Sequence, residues 1–330
     1  MSATKPPELA MLWEASDPHD ALRQRFGFTD AEEACQWLGV VLAKHWGFRV
    51  NSCERLVISA GNALAWLTTD THRLVAKWSV VPGLHPRLAE LARLTGWLEG
   101  CGLPVAAPLP AIDGRRQVEI DGASLGLLPQ VDGALLDVSE PTQVRAAGAV
   151  LAALHLALAE YPDVDRLTTL GALEPPAPMV ARMTHGIESR NRDDPATGVD
   201  VLRQFLAARE SDDVLPTQLI HNDIRSANVL YGGSRVAGVL DFEEATLDHC
   251  VVDIARGAVM LGTQYRSWGP VPPETHAAFV AGYQSVRPLS ATEAAWLHPL
   301  MLLRTLQCVP RGADPAGWGS SAKHLAAAMR

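Results

Sequence analysis

The sequence predicts an α+β chain, in which a small antiparallel sheet carrying one helix precedes a larger, mainly helical part. Three observations predict it. "RLVISAGNALAWLTTDTHRLVAKWSV" alternates apolar and polar residues between two turn-like breaks, "SAGN" and "TTDTH", which is strand periodicity. "HPRLAELARLTGWLEG" then returns to helical spacing. Beyond Pro141 almost every apolar run is helical, and the exception is "LIHNDIRSANVLYGGSRVAGVLDF".

The elements follow in order. Thr29-Asp30 stands before "AEEACQWLGVVLAKHW", with acids in the first turn and Gly47 at the end. That is a capped amphipathic helix, and residues 1–46 read as an N-terminal helical extension. Three antiparallel strands come next, with Lys77 in the third. A helix ending at Gly100 and Gly102 follows. Two short strands, "RRQVEI" and "SLGLLPQ", are joined by the turn pair Asp121-Gly122. "PQVDGALL" reads as a linker. The sequence therefore divides into the extension 1–46, a sheet-bearing part 47–130 and a helical part 131–330. Residues 162–194 are polar and Pro-bearing, the pattern of a surface insertion.

Composition sets limits. The 330 residues are 48% hydrophobic and 20% charged, with a formal net charge of −9. An acidic chain repels phosphate backbones, so nucleic acid is not an expected partner. The first residues lack the apolar core of a signal peptide. The longest apolar stretch, Ala146 to Ala159, is too short to span a bilayer and contains His155. A cytoplasmic protein without a membrane partner is expected. The five cysteines are widely spaced and never form C-x-x-C, so free thiols are expected rather than disulfides or a zinc site.

The chemistry concentrates at His221-Asn222-Asp223, Asn228 and Asp241-Phe242-Glu243. A polar loop leaves one apolar strand and re-enters another. The hairpin through Gly232-Gly233 then brings Asp241 back beside Asn228. Two hard oxygen ligands of this kind suit Mg²⁺, which keeps water and phosphate oxygens in its other positions. Asp223, earlier in the loop, is placed to orient an attacking hydroxyl. These are the parts of phosphoryl transfer. Upstream lie Lys77, on the same strand face as Val75, and Glu90, on the next helix, positioned to pair with Lys77. Taken singly, a strand Lys is more often an edge residue and a loop Asp more often a turn former. Their occurrence together and in this order points to a nucleotide-dependent kinase.

In these residues the chain resembles the aminoglycoside phosphotransferase and choline kinase group, which has a bilobal protein-kinase-like fold. "HNDIRSANVL", "LDFEEA" and "LDHCVVDIA" carry the resemblance, and it runs from about Val50 to Leu303. It implies that Asp223 is the catalytic carboxylate and that Asn228 and Asp241 hold Mg²⁺. Lys77 would contact the α- and β-phosphates, paired with Glu90. Ser59, Gly61 and Asn62 would lie near the phosphates. Gln130 and Val131 would bind adenine through their backbone, between Val75 and Leu230. ATP is the implied nucleotide, with GTP left open. His155 matches a recurrent Leu-His, and its residue-level reading is a packed structural histidine.

Two departures stand out. Asn222 replaces the usual Gly, and Asn tolerates positive φ better than most residues. Arg225-Ser226 replaces a common His-Pro, so Arg225 either contacts Asp223 and phosphate or faces outward. Glu243 is a further metal or acceptor candidate. Asp248 and Asp253 read as groups that cap or brace the next helix.

The acceptor is expected to be a small hydroxyl-bearing molecule. Acids outnumber bases near the loop, which favours a cationic acceptor and an antibiotic-kinase-like enzyme. Glu243, Glu244, Asp248, Tyr265, Trp268 and Trp296 are acceptor-pocket candidates without assigned roles. "FVAGYQSVRPLS" resembles the homoserine kinase branch and supports the alternative, a homoserine- or choline-kinase-like enzyme. A nucleotide-binding pseudokinase is the non-enzymatic alternative. It conflicts with the complete set of Lys77, Asp223, Asn228 and Asp241.

Overall fold

A computed structural model describes residues 6–167, 176–189, 196–208 and 215–330. The chain divides into two compact units, with the boundary between Asp132 and Gly133.

The first unit is built on strands β1 (Glu8–Met11), β2 (Val50–Ile58), β3 (Asn62–Thr69), β4 (Arg73–Ser79), β5 (Val118–Ile120) and β6 (Ala123–Pro129). They form one sheet in the order β1-β2-β3-β4-β6-β5. Its pairs are antiparallel except for β1, which runs parallel to β2 with Leu9 opposite Leu56. Asp121 and Gly122 both take positive φ, 52° and 79°. A two-residue hairpin needs that geometry to match the strand twist.

The strand β1 differs from the expected purely helical extension. The rest of that region comprises α1 (Pro18–Ala21), a π-helical turn (Leu22–Phe26) and α2 (Ala31–Trp46). Asp30 caps α2 by accepting from Glu33 N at 2.9 Å, and Gly47 ends it at φ 73°. Ala34, Leu38 and Leu42 of α2 share one core with Leu56, Leu74 and Trp78 of the sheet. Burying such side chains contributes about 1.5–3 kcal/mol each, which explains why the N-terminal residues belong to this unit. Helix α3 (His85–Gly100) follows β4.

One expectation about cysteine is corrected: Cys35 of α2 and Cys53 of β2 are joined by a disulfide, with Cα atoms 6.1 Å apart. Cysteines distant in sequence met because α2 packs beside β2. Cys250 is a buried free thiol, as expected, whereas Cys101 is exposed.

The second unit begins with β7 (Ala134–Leu135), inside the stretch read as a linker, and α4 (Pro141–Leu158). Helices α5 (Val164–Leu167), α6 (Met179–Glu188) and α7 (Ala196–Ala207) follow. Part of the expected insertion, 168–175 and 190–194, lies outside the described residues. Strands β8 (Thr217–Ile220), β9 (Val229–Gly232), β10 (Arg235–Val239) and β11 (Thr246–His249) come next. Helices α8 (Cys250–Met260), α9 (Pro273–Gln284), α10 (Ala291–Cys308) and α11 (Trp318–Ala328) complete the chain. Two small sheets form, β10-β9-β7 and β11-β8.

Helices α4 and α9 cross at van der Waals contact of their backbones. A Cβ on Gly148 would stand 2.0 Å from Phe279 O, and one on Gly282 would stand 2.1 Å from Arg145 O. Only glycine allows that approach. It brings Tyr283 of α9 against His155 of α4, with ring centroids 5.5 Å apart. Among the described residues no helix is long and apolar enough to cross a membrane.

Candidate active site

The two small sheets of the second unit frame the polar loop. β8 delivers the chain to His221, and β9 receives it after a short 3-10 turn, Ser226–Asn228. The β9–β10 hairpin pairs Val229 with Val239. Leu240 N then donates to Asn228 O at 2.9 Å, which sets Asp241 beside Asn228 as expected. β11 returns along β8, with Thr246 opposite Ile220. Backbone pairing thus holds both ends of the loop.

Two residues bend the chain through the left-handed region, Asn222 at φ 63° and Asp241 at φ 59°. Asn and Asp are the non-glycine residues best suited to it. Asn222 is further held by its Nδ2 donating to Glu244 O at 3.3 Å.

Asp253 of α8 organises the loop from below. Its Oδ2 accepts from His221 N at 3.0 Å and its Oδ1 from Asn222 N at 3.1 Å. His155 Nε2 lies 3.0 Å from the same Oδ2, and His155 Nδ1 lies 2.7 Å from the Tyr283 hydroxyl. Both His155 and Asp253 are fully buried. Burial opposes charge on His155, but its hydrogen bonds to Asp253 and Cys250 prevail and raise its pKa to about 9. Burial would raise Asp253, and the bond from His155 overrides it to hold the carboxyl below its ordinary value. Asp253 therefore braces the loop before it as well as the helix it belongs to.

His221 is neutral by construction. Its Nδ1 accepts from Asp223 N at 3.1 Å, so Nε2 carries the proton and donates to Leu240 O at 3.0 Å. Burial pushes its pKa below the usual value. Phe242 packs edge-on against its ring at 4.5 Å.

The Asp223 carboxylate is held from three sides. Its Oδ2 accepts from Asn228 Nδ2 at 2.7 Å and from Arg225 Nε at 3.0 Å. Its Oδ1 accepts from Arg256 Nη2 of α8 at 3.3 Å. Arg225 thus faces inward, and it also stacks over Trp268 at 5.8 Å. Asn228 Nδ2 also donates to Asp223 O at 3.0 Å. Both bonds use the amide nitrogen, so the amide oxygen is the group Asn228 can offer a cation.

The adjacent Asp241 carboxylate is on an exposed residue. Among the described residues no group of three or more His, Cys, Asp or Glu is placed to hold a metal. Two hard oxygens fit a divalent cation that takes its other ligands from water and phosphate.

The remaining expected residues lie in the first unit, apart from Leu230 and Glu243. Lys77 and Val75 share one face of β4, while Leu74, Ala76 and Trp78 are buried on the other. Ser59 N donates to Asn62 O at 2.8 Å and closes the β2–β3 turn. Gly61 lies in that turn, and a Cβ there would stand 2.4 Å from Val81 Cγ2. Gln130 N donates to Arg73 O at 2.9 Å, and Val131 follows it. Glu90 of α3 binds Arg93 through both guanidinium edges, with Nε at 2.9 Å from Oε2. In the second unit, Leu230 pairs with Leu135 in β7, and Glu243 is half-buried.

Two acids near the loop are engaged elsewhere. Asp248 is bound by both Nη atoms of Arg182, each at 2.6 Å, and Asp253 is buried under the loop. Trp296 is fully buried against Phe205. The charged side chains bonded to Asp223 are the arginines 225 and 256. Sequence reading missed Arg256, which α8 brings to Asp223. It is a lone cation in an apolar helical run, "DIARGAV", and that was the available signal.

Residues 53–296 match the model of a phosphotransferase enzyme family. A curated homoserine kinase from Neisseria meningitidis serogroup B is 32% identical over 201 residues, 59% of this chain and 61% of that protein. The chain spans about three fifths of the length of curated relatives such as this one. Among solved structures, a spectinomycin phosphotransferase bound to ADP and spectinomycin superposes with a TM-score of 0.58 at 14% identity. That match covers 89% of this chain and 98% of that one. An amicoumacin kinase bound to AMP-PNP and Ca²⁺ gives 0.56 at 18%, covering 89% and 92%. These two likenesses show the kinase-like α+β fold.

Proposed function

The chain belongs to the phosphotransferase enzyme family, and from that premise we propose that it moves the γ-phosphate of ATP to the hydroxyl of a small amino-acid-like alcohol, homoserine being the first acceptor to test. The family makes it a small-molecule kinase.

Asp223 orients the acceptor hydroxyl. Asn228, bonded to it at 2.7 Å, ties that carboxylate to the metal position that Asn228 and Asp241 form. When bound, Mg²⁺ supplies charge neutralisation on the phosphates. Arg225 positions Asp223 and offers its outer donors to phosphate. Lys77, supported by Glu90, takes the α- and β-phosphates, with the Ser59-Gly61-Asn62 turn covering them. Gln130 and Val131 hold adenine, and Val75 and Leu230 supply apolar contact. Glu243 lies next to a metal ligand and is the reserve oxygen donor.

One observation carries the acceptor class: the charged side chains bonded to Asp223 are Arg225 and Arg256. Such a pocket repels a polycationic antibiotic and suits a zwitterion. The homoserine kinase relative agrees in class. An ADP-release screen over L-homoserine, choline, aminoglycosides and amino sugars tests the reading. Homoserine-dependent ADP release, with O-phosphohomoserine seen by phosphorus NMR, is expected. Release stimulated by aminoglycosides alone, or by nothing, overturns it.

A further inference from the structure

Trp268 is a large side chain left 53% exposed, and what it covers is a charge. The Arg225 guanidinium carbon lies over its ring, 5.8 Å from the centroid. The Arg225 side chain is only 14% exposed, and its Nε donates to Asp223 Oδ2 at 3.0 Å. An exposed indole thus shields the arginine that grips Asp223.

Backbone bonding fixes where Trp268 sits. Thr263 N and Oγ1 both donate to Met260 O, at 2.9 and 2.8 Å, and close the end of α8. The residues after α8 then run along the polar loop. Ser226 N donates to Leu261 O at 2.8 Å, and Ser226 Oγ donates to Thr263 O at 3.2 Å. The Tyr265 hydroxyl donates to Ala227 O at 3.4 Å. Gln264 N donates to Ser267 O at 2.8 Å and closes a turn just before Trp268. One continuous stretch, α8 and the residues that follow it, therefore reaches the Asp223 loop three times. Asp253 holds its backbone, Arg256 meets Asp223 Oδ1, and Trp268 backs the arginine on Oδ2.

The chemistry favours such a backing. Ordering a long arginine side chain costs rotamer entropy, and an ion pair open to water returns little of it. An indole face attracts a planar guanidinium through the ring quadrupole, and more strongly where water is excluded.

We propose that Trp268 is a positioning residue of the transfer reaction: it keeps Arg225 seated on Asp223 Oδ2 and so fixes the carboxylate that meets the acceptor hydroxyl. Trp268 acts through Arg225 and touches neither phosphate nor acceptor in this role. The proposal rests on the reading of Asp223 as the group that orients the hydroxyl.

The test uses the full chain as wild type, Trp268→Phe, Trp268→Leu, Arg225→Gln and the double variant Trp268→Leu/Arg225→Gln. Nitrogen-15 NMR follows exchange of the Arg225 Nε proton with water, the signal being assigned by its loss in Arg225→Gln. ADP release with L-homoserine and Mg-ATP gives kcat and KM. Phe keeps an aromatic face, whereas Leu keeps apolar bulk without one. The Nε proton is expected to be protected in wild type and Trp268→Phe and to exchange quickly in Trp268→Leu. Trp268→Leu lowers kcat about 3- to 30-fold, the scale of a desolvated cation–π contact, with KM for ATP within about twofold. Trp268→Phe retains most of kcat. In the Arg225→Gln background Trp268→Leu has no further effect, because the group it acts through is gone.

An Nε proton equally protected in Trp268→Leu overturns the proposal, as does a loss of kcat that simply adds to that of Arg225→Gln. A rise in KM for homoserine with Nε protection unchanged assigns Trp268 to acceptor contact and overturns it too. The NMR readout needs no acceptor, so it decides the Trp268–Arg225 link even if homoserine is not turned over. Full turnover by Asp223→Asn defeats the reading of Asp223 itself, a separate outcome.

Discussion

The His155 imidazole and the Asp253 carboxylate meet at 3.0 Å with neither exposed to solvent. Residues 98 positions apart are joined under the loop that carries Asp223. Asp253 spends its remaining acceptor capacity on the backbone of His221 and Asn222, so the pair acts on the site only through loop geometry. Asp253→Asn leaves His155 facing an amide and weakens the loop anchor. A stability loss of about 3–5 kcal/mol is expected in a denaturant melt, with a fall in kcat larger than any change in KM for ATP.

The same pair makes stability depend on pH. His155 has a folded pKa raised to about 9 from 6.5, so its contribution is complete below 6.5 and is lost as pH rises through 9. Asp253, held low, contributes above its unfolded pKa and loses that only in acid. Folding stability therefore falls between pH 7 and 9.5 by on the order of 2 kcal/mol, and the melting temperature falls with it. His155→Gln removes that slope while lowering stability overall. A flat profile in wild type contradicts the charged pair.

Asn222 tests the backbone of the loop. At φ 63° a β-branched residue is strained, and Asn222→Val is expected to cost about 1–3 kcal/mol and to lower turnover by moving Asp223. Asn222→Gly relieves the strain and retains most activity, losing chiefly the side-chain bond to Glu244. Chemical denaturation and kcat for the two variants give the comparison.

Gly282 tests the helix crossing beneath the site. An added methyl would lie 2.1 Å from Arg145 O, so α9 must withdraw from α4 and carry Tyr283 off His155. Gly282→Ala is expected to lose about 3 kcal/mol or more in urea. Gly269→Ala, with open space around its Cβ position, is the control and changes stability little.

Much of this was legible in the residues, and the exceptions share a cause. Local chemistry read well: the Asp30 cap, the Asp121-Gly122 turn, the Gly232-Gly233 hairpin and the left-handed Asn222 each depend on neighbours in sequence. Pairings made by tertiary packing did not. β1 is a short edge strand with no alternation to mark it, and Cys35–Cys53 depends on α2 lying along β2. The acceptor surroundings depend on the same tertiary packing. Counting acids near the loop cannot show that Asp248 is consumed by Arg182, or that Arg256 arrives from α8 to bond Asp223.

The most direct measurement is phosphate transfer by Asp223→Asn with L-homoserine and Mg-ATP, beside nucleotide affinity in the same variant. Turnover reduced about 10²- to 10⁴-fold, with ATP affinity within about twofold, is the expected result. Turnover close to wild type would contradict it, because the arrangement around Asn228, Arg225 and Arg256 would then be holding a carboxylate the reaction does not need.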